Sequence, residues 1–409
     1  MNSYFADLHI HIGRTEADTP VKISAARSLT FYNIAKEASE RKGIEMIGII
    51  DCHAPKVQSD IMEYLHRGEM AEQAGGGIRY HDTTVILGCE LEVKDEGFGA
   101  AHLLAYLPDL ASMQDFTAWL RKVMKNVELS SQRIYAPARV LQEEVYSRGG
   151  IVVPAHIFFT PYKGAYGNAS ARMEHFLDLR RIAAVELGLS ADTEMAGVIS
   201  ELDPFTYVTN SDAHSLSKIG REYNRLAMEA ATFEELAKAL NRQDGRAVRA
   251  NYGLNPRLGK YHRTYCSQCD SILSEREWGL TTLSATLQRV PGEAAERCPY
   301  CGSKSIVRGV LDRIMDVADR EAPVLHGSRP PYHFQVPLEF IPGLGPKMLT
   351  RLLERFGTEM DIIHHASEDE LAEEAGSEIA RYIVLARENA LELTSGGGGT
   401  YGKVSKLLS

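Results

Sequence analysis

Three groups of metal-ligating side chains at alternate-residue spacing constrain this chain more than anything else in it. They are His9 and His11 in Asp7-Leu8-His9-Ile10-His11, Asp51-Cys52-His53, and Asp212-Ala213-His214. In an extended strand alternate residues project to the same side, so each pair offers two donors to one point. Short β-branched apolar runs precede most of the candidate ligands. Residues 46–50 lead into Asp51, 84–87 into Glu90, 151–153 into His156 and 207–209 into Asp212, with a further run at 183–187. Helical patterns at 29–42, 112–127 and 137–148 fall between these runs. Repeated strand–helix units predict a parallel α/β sheet or barrel. Active-site residues of such barrels gather at the carboxyl ends of strands, so ligands far apart in sequence are expected to converge.

His102, in His102-Leu103-Leu104-Ala105-Tyr106, completes a candidate ligand set of His9, His11, His53, Glu90, His102, His156, Asp212 and His214. Imidazole mixed with carboxylate suits zinc, manganese or iron, and magnesium tolerates the carboxylates. His81, His175, His262, His326, His333, His364 and His365 share no such pattern and read as ordinary structural histidines. Cys52 and Cys89 read as small buried apolar residues. Lys163 and Arg172 flank the His156 segment, where phosphate contact and solvated surface charge are both open readings.

The remaining four of the six cysteines form Cys266-Ser267-Gln268-Cys269 and Cys298-Pro299-Tyr300-Cys301, with 28 residues between the pairs. Four thiolates at this spacing bind one tetrahedral structural zinc. A redox dithiol needs only one such pair and leaves the other unexplained. Nearer the C-terminus, Pro342-Gly343-Leu344-Gly345-Pro346-Lys347 turns into an amphipathic helix that runs from Pro346 to about Phe356, with proline at the first helical position. This looks like a helix-hairpin-helix. Gly343 and Gly345 would expose amides at a helix N-terminus as a phosphate seat, with Lys347 adding charge. An ordinary αα-turn capped by glycines is the plainer reading.

The ligand pattern resembles the PHP superfamily, named for polymerase and histidinol phosphatase. Its HxH, later H, G-x-E, H-x-L-x-Y, A-H and D-x-H motifs fall here on His9/His11, His53, Glu90, His102, His156 and Asp212/His214. The resemblance implies an α/β fold, a distorted (β/α)7 barrel with two or three divalent metals (Zn, Mn or Mg) in its mouth. His9, His11, Glu90 and Asp212 would surround one metal, Glu90 would bridge to a second held by His102 and His156, and His53 with His214 would serve a third. Glu90, Asp212 and His214 would carry the catalytic role. Where many members place another Asp or His after the first HxH, this chain has only Glu16 and Asp18, which puts the third site in question.

The order of barrel (1–255), zinc-ribbon-like module (256–320), helix-hairpin-helix-like α-helical domain (336–395) and Gly-rich flexible tail (396–409) resembles the endonuclease Q family over nearly the whole chain. The segment from Ala155 to Asn168 strengthens that likeness. It implies incision of DNA 5′ to a deaminated base, uracil or hypoxanthine, or to an abasic site. A base taken out of the stack needs an aromatic pocket. Tyr162 and Tyr166 are the candidates for it, while Phe158 and Phe159 read as rim packing.

The net charge of −10 bears on this expectation. An acidic chain must grip DNA through local patches, backbone amides or bound metal rather than overall charge. The stretch 241–265 supplies one basic and aromatic patch. No apolar run reaches the ~20 residues of a membrane helix, and no secretory signal opens the chain, so a cytoplasmic, nucleoid-associated protein without membrane contact is expected. The tail is a candidate contact for a replication sliding clamp. Two other readings stay open: a PHP phosphoesterase, on a small phosphate or as a nuclease without lesion preference, and a DNA-binding adaptor with an inactive barrel.

Overall fold

The apolar runs do form strands, but these pair less uniformly than strand–helix alternation predicts. The computed structural model describes residues 1–159, 163–259, 261–273 and 297–391, with the short strands Leu393–Thr394 and Lys403–Val404. We label the main strands β1 (Asn2–Ile10), β2 (Met46–Ile49), β3 (Thr83–Val93), β4 (Ala101–Leu107), β5 (Ile151–Pro154), β6 (Ala184–Glu186), β7 (Thr206–Val208), β8 (Tyr223–Met228), β9 (Ala247–Leu254) and β10 (Tyr332–Gln335). Strands β1, β2 and β3 are parallel, as are β6 and β7. Strands β3–β4–β5 and β1–β8–β9 are antiparallel. The expected parallel sheet is therefore a mixed one. A parallel crossover needs about a dozen residues, and the segment between Val93 and Ala101 is too short for it.

Alternation along the strands sorts the core into two faces. Ile86, Leu104, Tyr106, Val153, Ala184, Val208 and Leu226 meet in one cluster inside the curled sheet. Their neighbours Val85, Leu87, Leu103, Ala105, Val152, Val185 and Tyr207 face outward, onto Ile34, Val57, Phe116, Leu120 and Leu141 of the surrounding helices. Side-chain amides stitch β7 to its neighbours. Asn251 Nδ2 donates to the Tyr207 carbonyl (3.0 Å), and Asn224 accepts from the Thr209 amide (2.9 Å) and donates to its carbonyl (2.8 Å).

Residues 332–335, before the C-terminal helices, form β10, which extends the sheet parallel to β9. The cysteine module is tied in as well. Tyr265–Cys266 pairs with Ile306–Val307, and Tyr261, Tyr265, Val310, Leu311 and Ile314 share the outer core of the sheet. The C-terminal helices Pro346–Phe356, Glu359–His364, Glu368–Ala375 and Ser377–Arg387 enclose a small core of their own around Leu352, Ile362, Leu371 and Tyr382. They dock on the helical segment Glu37–Lys42 through buried Lys42, whose Nζ lies 2.9 and 3.0 Å from the Glu359 carboxylate. Tyr223 Oη and His364 Nε2 add a contact at 2.6 Å. No helix among the described residues is long and apolar enough to cross a membrane.

Candidate metal centre

Seven of the eight candidate ligands meet at one end of the sheet in three overlapping groups: His9, His11 and Glu90; Glu90, His102 and His156; His11, Asp212 and His214. The elements explain the convergence. Strand β1 carries His9 at alternate spacing to His11, just beyond its end. Strand β3 carries Glu90, its antiparallel partner β4 carries His102, and the segments after β5 and β7 carry His156 and Asp212. His156 and Asp212 both adopt positive φ, 29° and 44°. Non-glycine residues hold that conformation only where surrounding structure enforces it, a pattern concentrated at functional sites.

The donor atoms stand at distances that suit a shared cation better than one another. Asp212 Oδ1 lies 3.5 Å from His9 Nε2 and 3.4 Å from His11 Nε2. Glu90 oxygens lie 3.8 and 3.7 Å from the same two nitrogens. Ligands about 2.1 Å from a tetrahedral centre are about 3.4 Å apart. His9 Nε2 is buried with no hydrogen-bond partner. His102 Nδ1 lies 2.9 Å from Glu90 Oε1 but without hydrogen-bond alignment, and His156 Nε2 lies 3.1 Å from the same oxygen. The donor set fits divalent metals, with Glu90 common to two groups. Burial alone would raise both carboxyls. His102 and Lys22 hold Glu90, and His9 and His11 hold Asp212, well below the usual carboxylate range. Burial pushes His214 down to about 4, keeping its imidazole neutral.

A further layer orients these ligands. Glu186 takes His9 Nδ1 at 3.0 and 3.1 Å, the Asn210 amide at 2.7 Å and the His156 backbone N–H at 2.8 Å. Asp51 takes His11 Nδ1 at 3.1 Å and the Ile12 N–H at 2.8 Å. Such carboxylates fix the tautomer that leaves Nε2 for metal, and their loss costs about 10–100-fold in metal affinity. Glu186→Gln is therefore expected to lower metal retention by that factor, read as metal content after chelator competition. Unchanged retention would remove Glu186 from this role. Glu186 and Lys22, 3.5 Å from Glu90, are absent from the sequence-derived ligand list. The one sequence signal for Glu186 is a carboxylate inside an apolar strand.

Other expected residues fall differently. His53 belongs to none of the three groups; its Nε2 faces the Leu129 carbonyl at 3.4 Å, because Asp51 rather than His53 turns toward the ligands. Tyr166 is fully buried and bonds Glu201, and it does not line the cleft at the metal centre. Gly164 and Gly167 cause this: a Cβ on either would meet main-chain atoms of 156–159 at 2.6 Å, so the loop folds tightly beneath the site. Tyr162 lies outside the described residues. The site opens into a cleft of about 480 Å³. Phe159, Leu189 and Tyr261 supply apolar lining there, and Lys22, Lys218 and Arg221 supply cationic lining. Lys163 is paired with Glu92 and Arg172 with Asp319, so both are engaged within the protein.

The cysteines converge too. Cys266 and Cys301 Sγ lie 3.6 Å apart and Cys269 and Cys298 3.7 Å, with all four in one group and no disulfide. A tetrahedral zinc with ligands at about 2.3 Å spaces its sulfurs by about 3.8 Å. In the C-terminal hairpin Gly343 has φ +81°, which favours glycine, and Gly345 caps the helix. The Gly345 amide bonds the Gly343 carbonyl at 3.1 Å. The donors without helical acceptors are thus those of Lys347 and Met348 in the first turn, beside the exposed Lys347 side chain. The tail from 396 lies outside the described residues apart from the strand Lys403–Val404.

Residues 196–244 match the PHP-associated family model. The Bacillus subtilis (strain 168) protein YqxK, itself uncharacterized, is 48% identical over 99% of this chain and all of its own. The crystal structure of the lesion-specific endonuclease PfuEndoQ from Pyrococcus furiosus superposes with a TM-score of 0.81 at 30% identity, covering 98% of this chain and 95% of that one. A structure of endonuclease Q with a 27-mer duplex carrying an abasic lesion at the active site gives the same score at 29% identity, over 98% and 96% of the two chains.

Proposed function

Because this chain belongs to the endonuclease Q family, we propose that it is a metal-dependent DNA-repair endonuclease that hydrolyses the phosphodiester 5′ to a deaminated base or abasic site. The observation that supports it most is the set of overlapping ligand groups opening onto a cleft lined by both cations and aromatic residues. His9, His11, Glu90 and Asp212 would hold one metal, and Glu90, His102 and His156 a second. Metals bound there would lower the pKa of a bound water and offset charge developing on the phosphoryl group. Lys22 and Arg221, beside the ligands, attract and orient the phosphate. A damaged base must leave the stack to be inspected, and weakened pairing lowers that cost. Phe159, Leu189 and Tyr261, beside the ligands, replace Tyr166 as the candidate pocket. Tyr261 packs edge-on against Phe159, with ring centroids 5.1 Å apart. In the C-terminal hairpin, the first turn at Lys347 grips backbone without reading sequence.

Turnover of a uracil-containing duplex and of p-nitrophenyl phosphate separates this reading from a small-phosphate enzyme. Incision of the duplex with little turnover of the monoester is expected. The reverse pattern would replace the nuclease with a phosphatase. Tyr261→Ala is expected to narrow the preference for damaged over undamaged duplex by roughly tenfold, the scale of one base–aromatic stack. An unchanged preference would move the pocket elsewhere.

A further inference from the structure

The segment between the helix Leu110–Val123 and residue 135 departs from the acidic character of the chain. It carries Lys125 and Arg133 on its outer side against Glu128 alone, and ends at Tyr135, which is 54% exposed. Lys125 Nζ and the Arg133 guanidinium both sit over the Tyr135 ring, 5.4 and 5.3 Å from its centroid. Among the described residues neither cation has a carboxylate within ion-pair distance, and Arg133 Nε is buried with no hydrogen-bond partner. An exposed aromatic ring beside two cations that have no carboxylate partner is well suited to a polyanion that also presents aromatic faces.

The inner side of the same segment reaches the metal centre. Ser130 Oγ lies 3.1 Å from His11 Nδ1, Ser131 bonds the Glu90 carboxylate, and the Leu129 carbonyl faces His53. Tyr135 follows Ser131 by four residues. At about 3.4 Å per residue its backbone stands within about 14 Å of Ser131, which bonds Glu90. A duplex rises about 3.4 Å per base pair, so that span is about four base pairs.

We propose that Lys125, Arg133 and Tyr135 form a second DNA-contact surface flanking the incision point, with the cations on phosphates and the ring stacked on a nucleobase of the distorted duplex. This deepens the nuclease reading and rests on DNA being the substrate. The surface would clamp the strand beside the metal centre, so that the reacting phosphate is positioned from outside the ligand set.

The test uses the full chain and a fluorescently labelled uracil-containing duplex, with binding followed by anisotropy in metal-free buffer. Tyr135→Ala should bind about tenfold more weakly with an unchanged salt slope, and Tyr135→Phe should restore affinity. The Lys125→Ala/Arg133→Ala double variant should lower the slope of log affinity against log salt by about two. Wild-type affinity and slope in all three variants would overturn the proposal, as would equal weakening by Tyr135→Phe and Tyr135→Ala. Binding is scored without cutting, so the two readings fail separately. A wild-type protein that binds through this surface and leaves the duplex intact with Mg²⁺ or Mn²⁺ would sink the nuclease reading and keep the surface.

Discussion

Glu90→Gln should lower single-turnover incision of a lesion duplex at least about a thousandfold, or about 4 kcal/mol of transition-state stabilisation, with duplex affinity little changed. The size of the effect follows from where Glu90 sits. One oxygen is 2.9 Å from His102 and 3.1 Å from His156, and the carboxylate also lies 3.7 Å from His11 and 3.8 Å from His9. No other ligand serves both of those groups among the described residues. Glutamine keeps the shape and removes one full negative charge from a buried site, where charge is worth far more than in water. Reduced metal content with a matching loss of incision is the expected signature. A variant that cuts within tenfold of wild type would show that the chemistry lies elsewhere.

Cys298→Ser should abolish metal binding at the four-cysteine site and blunt lesion recognition at a distance. A structural zinc contributes folding free energy directly, up to about 10–16 kcal/mol in isolated zinc-finger peptides. Here the loss should be smaller, because residues on both flanks of the module already pack on the sheet. Val310, Leu311 and Ile314 share its outer core, and Arg313 donates to the Tyr166 carbonyl at 2.7 Å. The strand Tyr265–Cys266 links the first thiolate to Tyr261, four residues before Tyr265 on the cleft wall. Losing the metal therefore loosens that wall. Expected results are one zinc fewer per chain, an early melting step ahead of the main transition, and roughly tenfold lower preference for damaged duplex, comparable to Tyr261→Ala. Unchanged zinc content or an unchanged lesion preference would contradict the link.

The convergence of the candidate ligands was legible in sequence because β-strand geometry makes alternate spacing meaningful without knowledge of the fold. His9 with His11, and Asp212 with His214, do face common points. The motif Asp51-Cys52-His53 carries the same spacing but is used differently. Asp51 orients His11 while His53 turns to the Leu129 carbonyl. Spacing specifies which side chains share a face and not which of them reaches the centre. Glu186 was hidden because its role arises only when β6 is set against β1. The misplacement of Tyr166 has a local cause: a glycine-bearing segment after a ligand reads as an open loop, whereas Gly164 and Gly167 permit close main-chain packing that buries the ring. The basic stretch 241–265 divides in the same way. Arg246 is consumed by Glu235 at 2.9 Å and Tyr252 stacks on Tyr223, while Tyr261 reaches the cleft.

The most direct test of the account maps the cut. A duplex with one uracil, end-labelled on the damaged strand, is incubated with Mg²⁺ or Mn²⁺ and wild-type protein, beside an undamaged duplex and the Asp212→Asn variant. The account predicts a single nick immediately 5′ of the uracil, absent from both controls. Equal cutting of the two duplexes, or a nick that survives Asp212→Asn, would contradict it.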